Sequence, residues 1–388
     1  MSGIRIDVLR DLGGVESLRP EWNALLQASA SDTVFLSSEW ISTWWEVFGH
    51  GHTPFYVTAR EPGGRLVGVA PLVIGAGRGR VGRHLRTLMV AGQRAETLSE
   101  FLDLFVERGR EAEIVPLLAG PILDREGRDW DALVFERMAT CSPTLPFLQR
   151  ELRSAGITPT CTAGEASPYL PLPASWGAFF GSMSRNFRKK WSQAKRRLAE
   201  HGELRLLLAG RDIPLEDAMD RLAELHRSRW GMEGSSFRTD GYLRFHRLLS
   251  RRLHDRDALL LALLAVGDNV VAASYDFLWA RKVWAFQGGW HPGYEGTSIG
   301  NVLTGLVLEW AIENGYSEYD FLKGDRPYKR RWASEQRTLV DLSAYARTPR
   351  ARCWQAVGQA ENVLRAHAGP YVRTAFARLR AADPRASA

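Results

Sequence analysis

The spacing of apolar residues changes between two periods along the chain, and each period predicts a different element. Apolar and polar residues alternate at 4–9, and short apolar runs at 55–59 and 66–74 flank a turn with Pro and Gly, a pattern typical of strands. The aromatic-rich segment 35–48 has helical spacing and a Ser at its start. The first half of the chain is therefore predicted to mix strands with helices.

The second half repeats this mixture in a similar order. Helical spacing at 215–230 and 242–253 precedes three apolar runs at 259–266, 270–278 and 283–287. The connections between the three runs are short enough for an antiparallel meander. We infer two copies of one α/β plan, although no internal repeat is visible residue by residue.

The length of 388 residues agrees with two or three domains. The stretch 156–173 is rich in Pro and Gly, and it is the best candidate for a linker. We therefore predict a first domain at 1–165, a second at 166–348 and a helical tail at 349–388. The last residues of that tail carry few signals of order and are expected to be disordered.

The overall composition is that of a folded protein. Hydrophobic residues make up 45% and charged residues 24%, which excludes a largely disordered chain. The longest apolar run, 259–266, is too short to cross a bilayer, and the first residues lack the apolar core of a signal peptide. We therefore expect a cytoplasmic protein without a membrane span.

Residue types that bind metals or act as nucleophiles form no recognisable motif. Cys141, Cys161 and Cys353 lie far apart, without the spacing of a zinc site or of a disulfide framework. His50 and His52 form a loop pair, and neither an H-E-x-x-H helix nor a G-x-S-x-G elbow is present. We expect no metal and find no support for a serine hydrolase.

The positive charge is concentrated in one segment. The net charge is +7, and the segment 185–197 holds seven cations and no acid, so the rest of the chain is balanced. The seven are Arg185, Arg188, Lys189, Lys190, Lys195, Arg196 and Arg197. An apolar stripe at helical spacing runs between them: Phe187, Trp191, Ala194 and Leu198. Such a helix is either simply solvated or binds the phosphates of a nucleotide, a lipid-linked sugar diphosphate or tRNA.

A glycine-rich turn before a helix is the most informative segment. The loop 288–298 leads into an amphipathic stripe at 299–310, with Ser298 as the predicted N-cap and Asn314-Gly315 as the stop. The first N–H groups of a helix are unpaired and lie at the positive end of its dipole, where a phosphate or pyrophosphate can bind. An ordinary loop is the alternative, because neither G-x-G-x-x-G nor G-x-x-x-x-G-K-[ST] is present.

The residues that follow complete a motif that resembles the GNAT acyltransferase superfamily, in its two-domain CelD-like (cellulose biosynthesis protein CelD) and FemAB-like branch. The motif is a helix ending in Ala-x-x-x-Gly, a Tyr-Asp-Phe strand, a Gly, and a Tyr-Lys pair before an aromatic residue. In this sequence it comprises Ala311, Gly315, Tyr319-Asp320-Phe321, Gly324, Tyr328-Lys329 and Trp332. The likeness also includes the segments 185–191, 35–40 and 66–72, and it extends over about residues 5–345.

This resemblance implies an α/β fold of the α+β type with tandem GNAT-like domains, each a mixed and mostly antiparallel sheet flanked by helices. It also implies a cleft for a thioester or ester donor, here acetyl-CoA or another acyl-CoA. The first domain lacks the Tyr-Asp-Phe strand, the glycine turn and the basic helix, so we expect it to be the non-catalytic copy that shapes the acceptor cleft. The usual pyrophosphate turn of acetyltransferases is replaced by residues 294–300.

Amide-forming acyl transfer needs a base for the amine, a stabilised oxyanion and a group that protonates or holds the leaving thiolate or alkoxide. We assign Asp320 as the base or as the group that orients the acceptor, and Tyr328 as the acid that protonates the leaving group. Lys329 is assigned as the cation that stabilises the developing negative charge. Asp276 and Glu318 are lesser candidates. A turn-capping carboxylate and a surface cation are the structural alternatives for Asp320 and Lys329. The donor phosphates are assigned to Gly296, Thr297, Ser298, Ile299, Gly300, Asn301, Arg188 and Lys189.

Three classes of function follow from the resemblance. The first is an N-acyltransferase that moves an acyl group from acyl-CoA to an amine of a small molecule or saccharide, in exopolysaccharide or envelope biosynthesis. The second is a FemAB-like transferase that takes an amino acid from aminoacyl-tRNA. The third is a non-catalytic GNAT-like binding protein in polysaccharide assembly. We prefer the first.

Overall fold

A computed structural model describes residues 3–77, 85–93 and 97–357 of the chain. Its centre is one large twisted sheet, and the strands among the described residues are β1 (Arg5–Leu9), β2 (Thr53–Arg60), β3 (Leu66–Ala76), β4 (Arg86–Val90), β5 (Phe105–Val106), β6 (Ala132–Ala139), β7 (Thr160–Pro171), β8 (Leu204–Leu208), β9 (Leu259–Val266), β10 (Asn269–Trp279), β11 (Lys282–Trp290), β12 (Glu318–Asp320) and β13 (Glu335–Tyr345).

Helices flank this sheet. They are α1 (Leu12–Ser17), α2 (Arg19–Ala28), α3 (Ser38–Phe48), α4 (Glu111–Leu123), α5 (Leu145–Ser154), α6 (Trp176–Ser182), α7 (Arg185–Ala199), α8 (Leu215–Gly234), α9 (Asp240–His254), α10 (Ile299–Glu313) and α11 (Pro327–Arg330), and residues 349–357 are also helical. The predicted fold class, a mostly antiparallel sheet flanked by helices, is confirmed. The end of the predicted tail, 358–388, lies outside the described residues.

The two halves of the sheet have the same order and direction of strands, counted from each outer edge. Its order is β1-β2-β3-β4-β6-β13-β7-β12-β11-β10-β9-β8, with β5 paired to β3. On one side β4 and β6 run parallel, and on the other β11 and β12 run parallel, while all other neighbours are antiparallel. β12 pairs with β11 only at 282–284, so in the described part of the chain the remainder of β11, up to Trp290, has no strand partner on that side. The functional cavity described below opens beside β11.

The two halves exchange strands at the middle of the sheet. β7 pairs with β12, whereas β13, the last strand, pairs with β6 of the first half and with β7. The predicted linker at 156–173 is therefore wrong, because most of it is β7. Proline has no N–H to donate, but its carbonyl can still accept a hydrogen bond within a sheet. The carbonyl of Pro168 accepts the N–H of Phe321 at 2.9 Å. A domain boundary at 165/166 would lie inside this strand, and the division stays a proposal.

Two apolar cores fill the two faces of the sheet. The larger core contains residues of both halves, so that Phe35 and Trp40 pack edge-on against Phe277, and Trp40 packs against Phe245. The smaller core lies under α7 and α10 and is built around Trp191 with a set of aliphatic and aromatic partners that includes Val302, Leu303, Leu308 and Trp332. The basic helix is thereby fixed against the helix that follows the glycine turn.

Local patterns in the second half predict its elements well. α7 begins at Arg185, and the runs at 259–266, 270–278 and 283–287 form the expected antiparallel meander β9-β10-β11. β11 is longer than predicted because Gly288, Gly289 and Trp290 continue the ladder with β10. Gly289 is required there, since a Cβ would lie 2.4 Å from the backbone of Leu225 in α8. Among the described residues, no helix is both long and apolar enough to cross a membrane.

Candidate active site

One cavity of about 440 Å³ lies between β10, β11, the turn before α10 and the segment 322–329. The second half supplies most of its lining, and the first half adds Leu98 and Glu100. The cavity brings together most of the sequence-predicted site: Gly296, Ser298, Ile299, Gly300, Asn301, Tyr328 and Lys329. Thr297, Asp320, Arg188 and Lys189 do not line it.

The turn before α10 presents open backbone N–H groups to this cavity. Ser298 is the N-cap, as predicted, but its φ of 62° is left-handed and its side chain makes no capping hydrogen bond. Within the described residues, the first intrahelical bond is from the N–H of Val302 to the carbonyl of Ser298, so the N–H groups of Ile299, Gly300 and Asn301 have no partner. These groups and the helix dipole form a site for an anion.

The remaining predicted turn residue, Thr297, closes the turn from inside. Its hydroxyl donates to the carbonyl of Tyr294 at 2.6 Å, and its N–H donates to the same carbonyl at 3.1 Å. Gly300 lies close to the indole of Trp290, since a Cβ there would be 3.2 Å from the ring. Glycine therefore lets the backbone of α10 approach both the indole and the cavity.

Asp276 is a buried carboxyl group that lines the cavity. It lies on β10 at a bulge opposite Ala285, is 1% exposed and lines the cavity. Ser274 donates its hydroxyl to both carboxylate oxygens, at 3.0 and 2.8 Å. Burial raises the pKa of Asp276 to about 8, although the hydrogen bonds from Ser274 and from the N–H of Phe286 act to lower the pKa. A carboxyl group with a pKa near neutrality in a cavity can accept a proton from an amine.

Tyr328 stands at the mouth of the cavity, with 40% of its surface exposed. Partial burial raises the pKa of its hydroxyl; Arg229 opposes this shift and Asp276 adds to it. The hydroxyl is therefore electrostatically coupled to both Arg229 and Asp276. Tyr319, fully buried behind them, has its pKa raised by burial and by the same Asp276. Of these two tyrosines, Tyr328 is the more exposed, and its raised pKa keeps its hydroxyl protonated.

The carboxylate of Asp320 is enclosed by protein partners and does not line the cavity. It is fully buried, accepts the hydroxyl of Ser167 at 3.0 Å and the N–H of Leu322 at 2.7 Å, and forms an ion pair with Arg337 at 2.7 Å. Both carboxylate oxygens are thus occupied, and the N–H bond caps a turn at Leu322, whose φ is 57°. The predicted role of Asp320 as the base does not fit this geometry. Glu318, the other lesser candidate, pairs with Arg337 and Lys282 away from the cavity.

Lys329 is buried, although the sequence suggested an exposed cation if it were not catalytic. It is 8% exposed, and its ammonium donates to the carbonyl of Leu322 at 3.0 Å and to that of Lys323 at 2.6 Å. Burial lowers the pKa of Lys329 to about 8, while nearby Glu100 and Asp320 act in the opposite direction. The ammonium therefore holds the 322–324 turn at the cavity wall.

We expect Lys329→Met to destabilise the fold. The change leaves two carbonyls without their buried donor, which costs about 1–3 kcal/mol for each unsatisfied group. Urea denaturation measures the difference. The matched control is Arg330→Met, since the neighbouring Arg330 is exposed and forms its ion pair, among the described residues, with Asp325. Equal stability of the Lys329 variant and the wild type would show that the two hydrogen bonds of the ammonium contribute nothing to stability.

The first half contributes a second buried carboxyl group, which the sequence did not indicate. Glu100 is 3% exposed, lines the cavity and accepts the N–H of Lys323 at 2.9 Å. Burial raises the pKa of Glu100 to about 7. Its neighbours Leu98 and Phe101 adopt left-handed φ values of 56° and 53°, which are costly for such residues. Backbone strain thus accompanies the placement of Glu100.

Gln287 and His226 form another buried polar pair at the cavity wall that sequence reasoning missed. His226 lies 2.9 Å from the amide oxygen of Gln287 and 2.8 Å from the hydroxyl of Ser235. Burial lowers the pKa of His226 to about 4, so its ring is neutral. Gln287 also donates to Tyr242 at 3.2 Å. The signal available in the sequence was one Gln at the end of an apolar strand.

The basic helix α7 lies outside the cavity. Among the described residues, none of its seven cations forms an ion pair, and Lys195 lies over the ring of Trp191 at 5.3 Å. Trp191 anchors α7 to the glycine turn, because its indole N–H donates to the carbonyl of Asn301 at 3.0 Å. The Nε of Arg188 is buried without a hydrogen-bond partner in the described part of the chain. A cationic face is therefore attached to the anion-binding turn.

No group of three or more His, Cys, Asp or Glu residues among those that the structure describes is arranged to hold a metal ion. The three cysteines Cys141, Cys161 and Cys353 are exposed and unbridged. The polar groups that the cavity offers are thus carboxyl, hydroxyl, amide, ammonium and guanidinium groups together with open backbone N–H groups. Such a set is suited to binding an anion and to moving a proton between an amine and a leaving group.

Comparison with known proteins agrees with this geometry. Residues 185–330 match the acetyltransferase (GNAT) domain family, and these residues include the basic helix, the glycine turn and the Tyr-Lys pair. The predicted GNAT superfamily is confirmed for these residues, which form an acyltransferase domain by class. No curated protein matches the chain. The CelD-like branch stays a prediction.

Solved structures show the same fold over most of the chain. A structure of FemX is 12% identical with a TM-score of 0.60, over 87% of this chain and 98% of FemX. The C-terminal domain of a putative lysylphosphatidylglycerol synthetase from Agrobacterium fabrum is 12% identical with a TM-score of 0.52, over 90% and 96%. A conserved protein of unknown function from Bacteroides thetaiotaomicron is 12% identical with a TM-score of 0.51, over 89% and 100%.

Proposed function

Residues 185–330 of this chain belong to the acetyltransferase (GNAT) domain family, and from that premise we propose an N-acyltransferase that uses an acyl-CoA donor and an amine of a small molecule or saccharide. One observation carries the proposal. A single cavity is lined both by the open N–H groups of the turn before α10 and by the proton-accepting Asp276. An anionic donor and a reacting amine can therefore meet in one place. The cytoplasmic location stays a prediction.

Asp276 is proposed as the general base, in place of Asp320. Burial raises the pKa of Asp276 to about 8, so its deprotonated form is a stronger base than an ordinary carboxylate and can take a proton from the attacking amine. Ser274 keeps the carboxyl oriented through both of its oxygens. As the amine nitrogen forms the C–N bond with the thioester carbonyl, it loses one proton to Asp276. The C–S bond breaks, the leaving sulfur takes a proton from Tyr328, and release of the proton from Asp276 allows Tyr328 to be protonated again. This assignment keeps the role predicted for Tyr328.

The donor is proposed to lie with its diphosphate at the turn and with its nucleotide end toward α7. The N–H groups of Ile299, Gly300 and Asn301 supply the first contact. Arg188 and Lys189 lie on the helix that Trp191 holds against the same turn, and they are proposed to meet further phosphates. Lys329 is proposed to keep the 322–324 turn in position at the reacting end.

One observation favours the FemAB-like alternative, in which aminoacyl-tRNA is the donor. The seven cations of α7 extend over 13 residues, about 18 Å of helix. None of them forms an ion pair with a described residue, so the whole length is available to an extended polyanion. A coenzyme with a compact cluster of phosphates needs only part of this face.

We expect acetyl-CoA or a long-chain acyl-CoA to raise the melting temperature, because a ligand that binds only the folded state stabilises it. Total tRNA should raise it less.

The double variant Lys189→Glu/Lys190→Glu tests whether the basic helix α7 binds the donor, with Arg221→Glu on α8 as an equally exposed control. If the donor is a CoA thioester, the double variant weakens CoA binding by about 10-fold and makes it less dependent on salt. A shift with tRNA alone would replace the CoA proposal, and no shift with any of them would favour a non-catalytic binding protein.

A further inference from the structure

Arg229 is a cation at the cavity wall whose charge the proposed chemistry has not used. It lies near the end of α8, just before Gly231 breaks the helix with a φ of 71°. Its guanidinium carbon stands 3.3 Å over the ring of Trp290 and 4.3 Å over the ring of Trp230. The two indoles therefore hold the guanidinium plane in one orientation.

The positive charge of Arg229 is not compensated by the protein. Among the described residues it forms no ion pair, and its only hydrogen bond donates to the carbonyl of Gly288 at 3.3 Å. By contrast, Arg337 on β13 pairs with both Glu318 and Asp320. Burial lowers the pKa of Arg229 to about 10, and Tyr328 acts in the opposite direction.

The geometry matches a planar or tetrahedral oxyanion. An arginine has five N–H donors in a fixed fork, and the bond to Gly288 uses one of them. The remaining donors can bind a carboxylate or a phosphate through two parallel hydrogen bonds. Trp230, which is 47% exposed, forms the outer edge of this position, so an anion can enter from the cavity mouth.

The position of Arg229 indicates which substrate brings the anion. Arg229, Asp276 and Tyr328 all line the same cavity, so an acceptor whose nitrogen lies at Asp276 can place an anion at Arg229. The ring of Trp290, over which the guanidinium lies, also contacts the donor turn at Gly300. The donor phosphates already have the open N–H groups of that turn.

We propose that Arg229 binds a carboxylate or phosphate carried by the amine acceptor, so that the substrate class is an anionic amine rather than a neutral one. This inference rests on the proposed function, because it takes the Asp276 end of the cavity as the place where the amine reacts. The anion would anchor the acceptor and direct its nitrogen toward Asp276. Neutral amines would bind without this anchor.

The test compares acceptors that differ only in their anion. Glucosamine is paired with glucosamine 6-phosphate, and lysinamide with lysine, and CoA release gives kcat/KM for each. We expect the wild type to prefer one or both anionic members by about 10-fold to 100-fold, the range of a charge-assisted hydrogen bond. Arg229→Gln should abolish the preference, Arg229→Lys should retain part of it, and Arg221→Gln on an exposed part of α8 should leave it unchanged.

Calorimetric binding of the same probes, and of coenzyme A, separates the possible failures. If no amine is acylated, the proposed function fails, while binding of glucosamine 6-phosphate to the wild type and not to Arg229→Gln would still support the anion site. If Arg229→Gln weakens coenzyme A instead, the anion belongs to the donor and the inference is wrong. Equal binding of charged and neutral probes by the wild type also overturns it.

Discussion

Replacement of Asp276 by Asn is expected to lower the rate of acyl transfer by about 10²-fold to 10⁴-fold, the usual contribution of a general base. The Asn side chain fills the same space and can still bond to Ser274, but it cannot accept a proton at any pH. In the wild type the rate should rise with pH until it levels off above about 8, where the carboxyl has lost its proton. The variant should show no such rise.

The same substitution should stabilise the folded protein at alkaline pH. Burial raises the pKa of Asp276 from its ordinary 3.8 to about 8, so between these values the folded state keeps a proton that the unfolded state has released. The contribution of this group to stability is therefore fully present below pH 4 and is lost as the pH rises to 8. Melting temperatures at pH 5 and pH 9 measure the effect, and Asp276→Asn should gain at pH 9.

Asp320→Asn is the matched control, because Asp320 is equally buried but is paired with Arg337. It should lose stability through the broken ion pair and keep the pH dependence of the rate. Two results would instead identify Asp320 as the base. One is full turnover by Asp276→Asn, and the other is loss of the rise of the rate with pH in Asp320→Asn alone.

Gly300→Asp should weaken donor binding by about 10-fold to 100-fold, because it adds a carboxylate beside N–H groups that would otherwise bind phosphate. Calorimetric titration with coenzyme A gives the dissociation constant. Gly300→Ala is the matched control for size, since its Cβ would lie 3.2 Å from Trp290 without any charge. We expect only a small loss for Ala. Unchanged affinity in a folded Asp variant would place the diphosphate elsewhere.

Elements set by nearby residues were predictable from the sequence. The apolar stripe of α7, the meander from β9 to β11, and the start and end of α10 depend on spacing within a few turns or on short connections. The glycine turn, Tyr328 and Lys329 also line one cavity, as the motif implied. Asp276 had a usable signal, because it is a carboxylate inside an otherwise apolar strand.

The rest of the site depends on contacts between distant parts of the chain. Asp320 is neutralised by Arg337 on β13 and bonded by Ser167 on β7, and the exchange of these strands has no local signature. Glu100 reaches the cavity from the first half, 223 residues before its partner Lys323. Arg229 becomes distinctive only when Trp290 stacks on it. Such pairings follow from topology and not from the spacing of residues along the chain.

The central claim is that the donor binds along the turn before α10 with its thioester beside Asp276. A crystal structure of the protein with coenzyme A bound tests it most directly. We predict a diphosphate within hydrogen-bond distance of the N–H groups of Ile299, Gly300 and Asn301, and a sulfur atom in the cavity between Asp276 and Tyr328. A coenzyme bound between residues 60 and 120, or elsewhere with this cavity empty, would contradict the account.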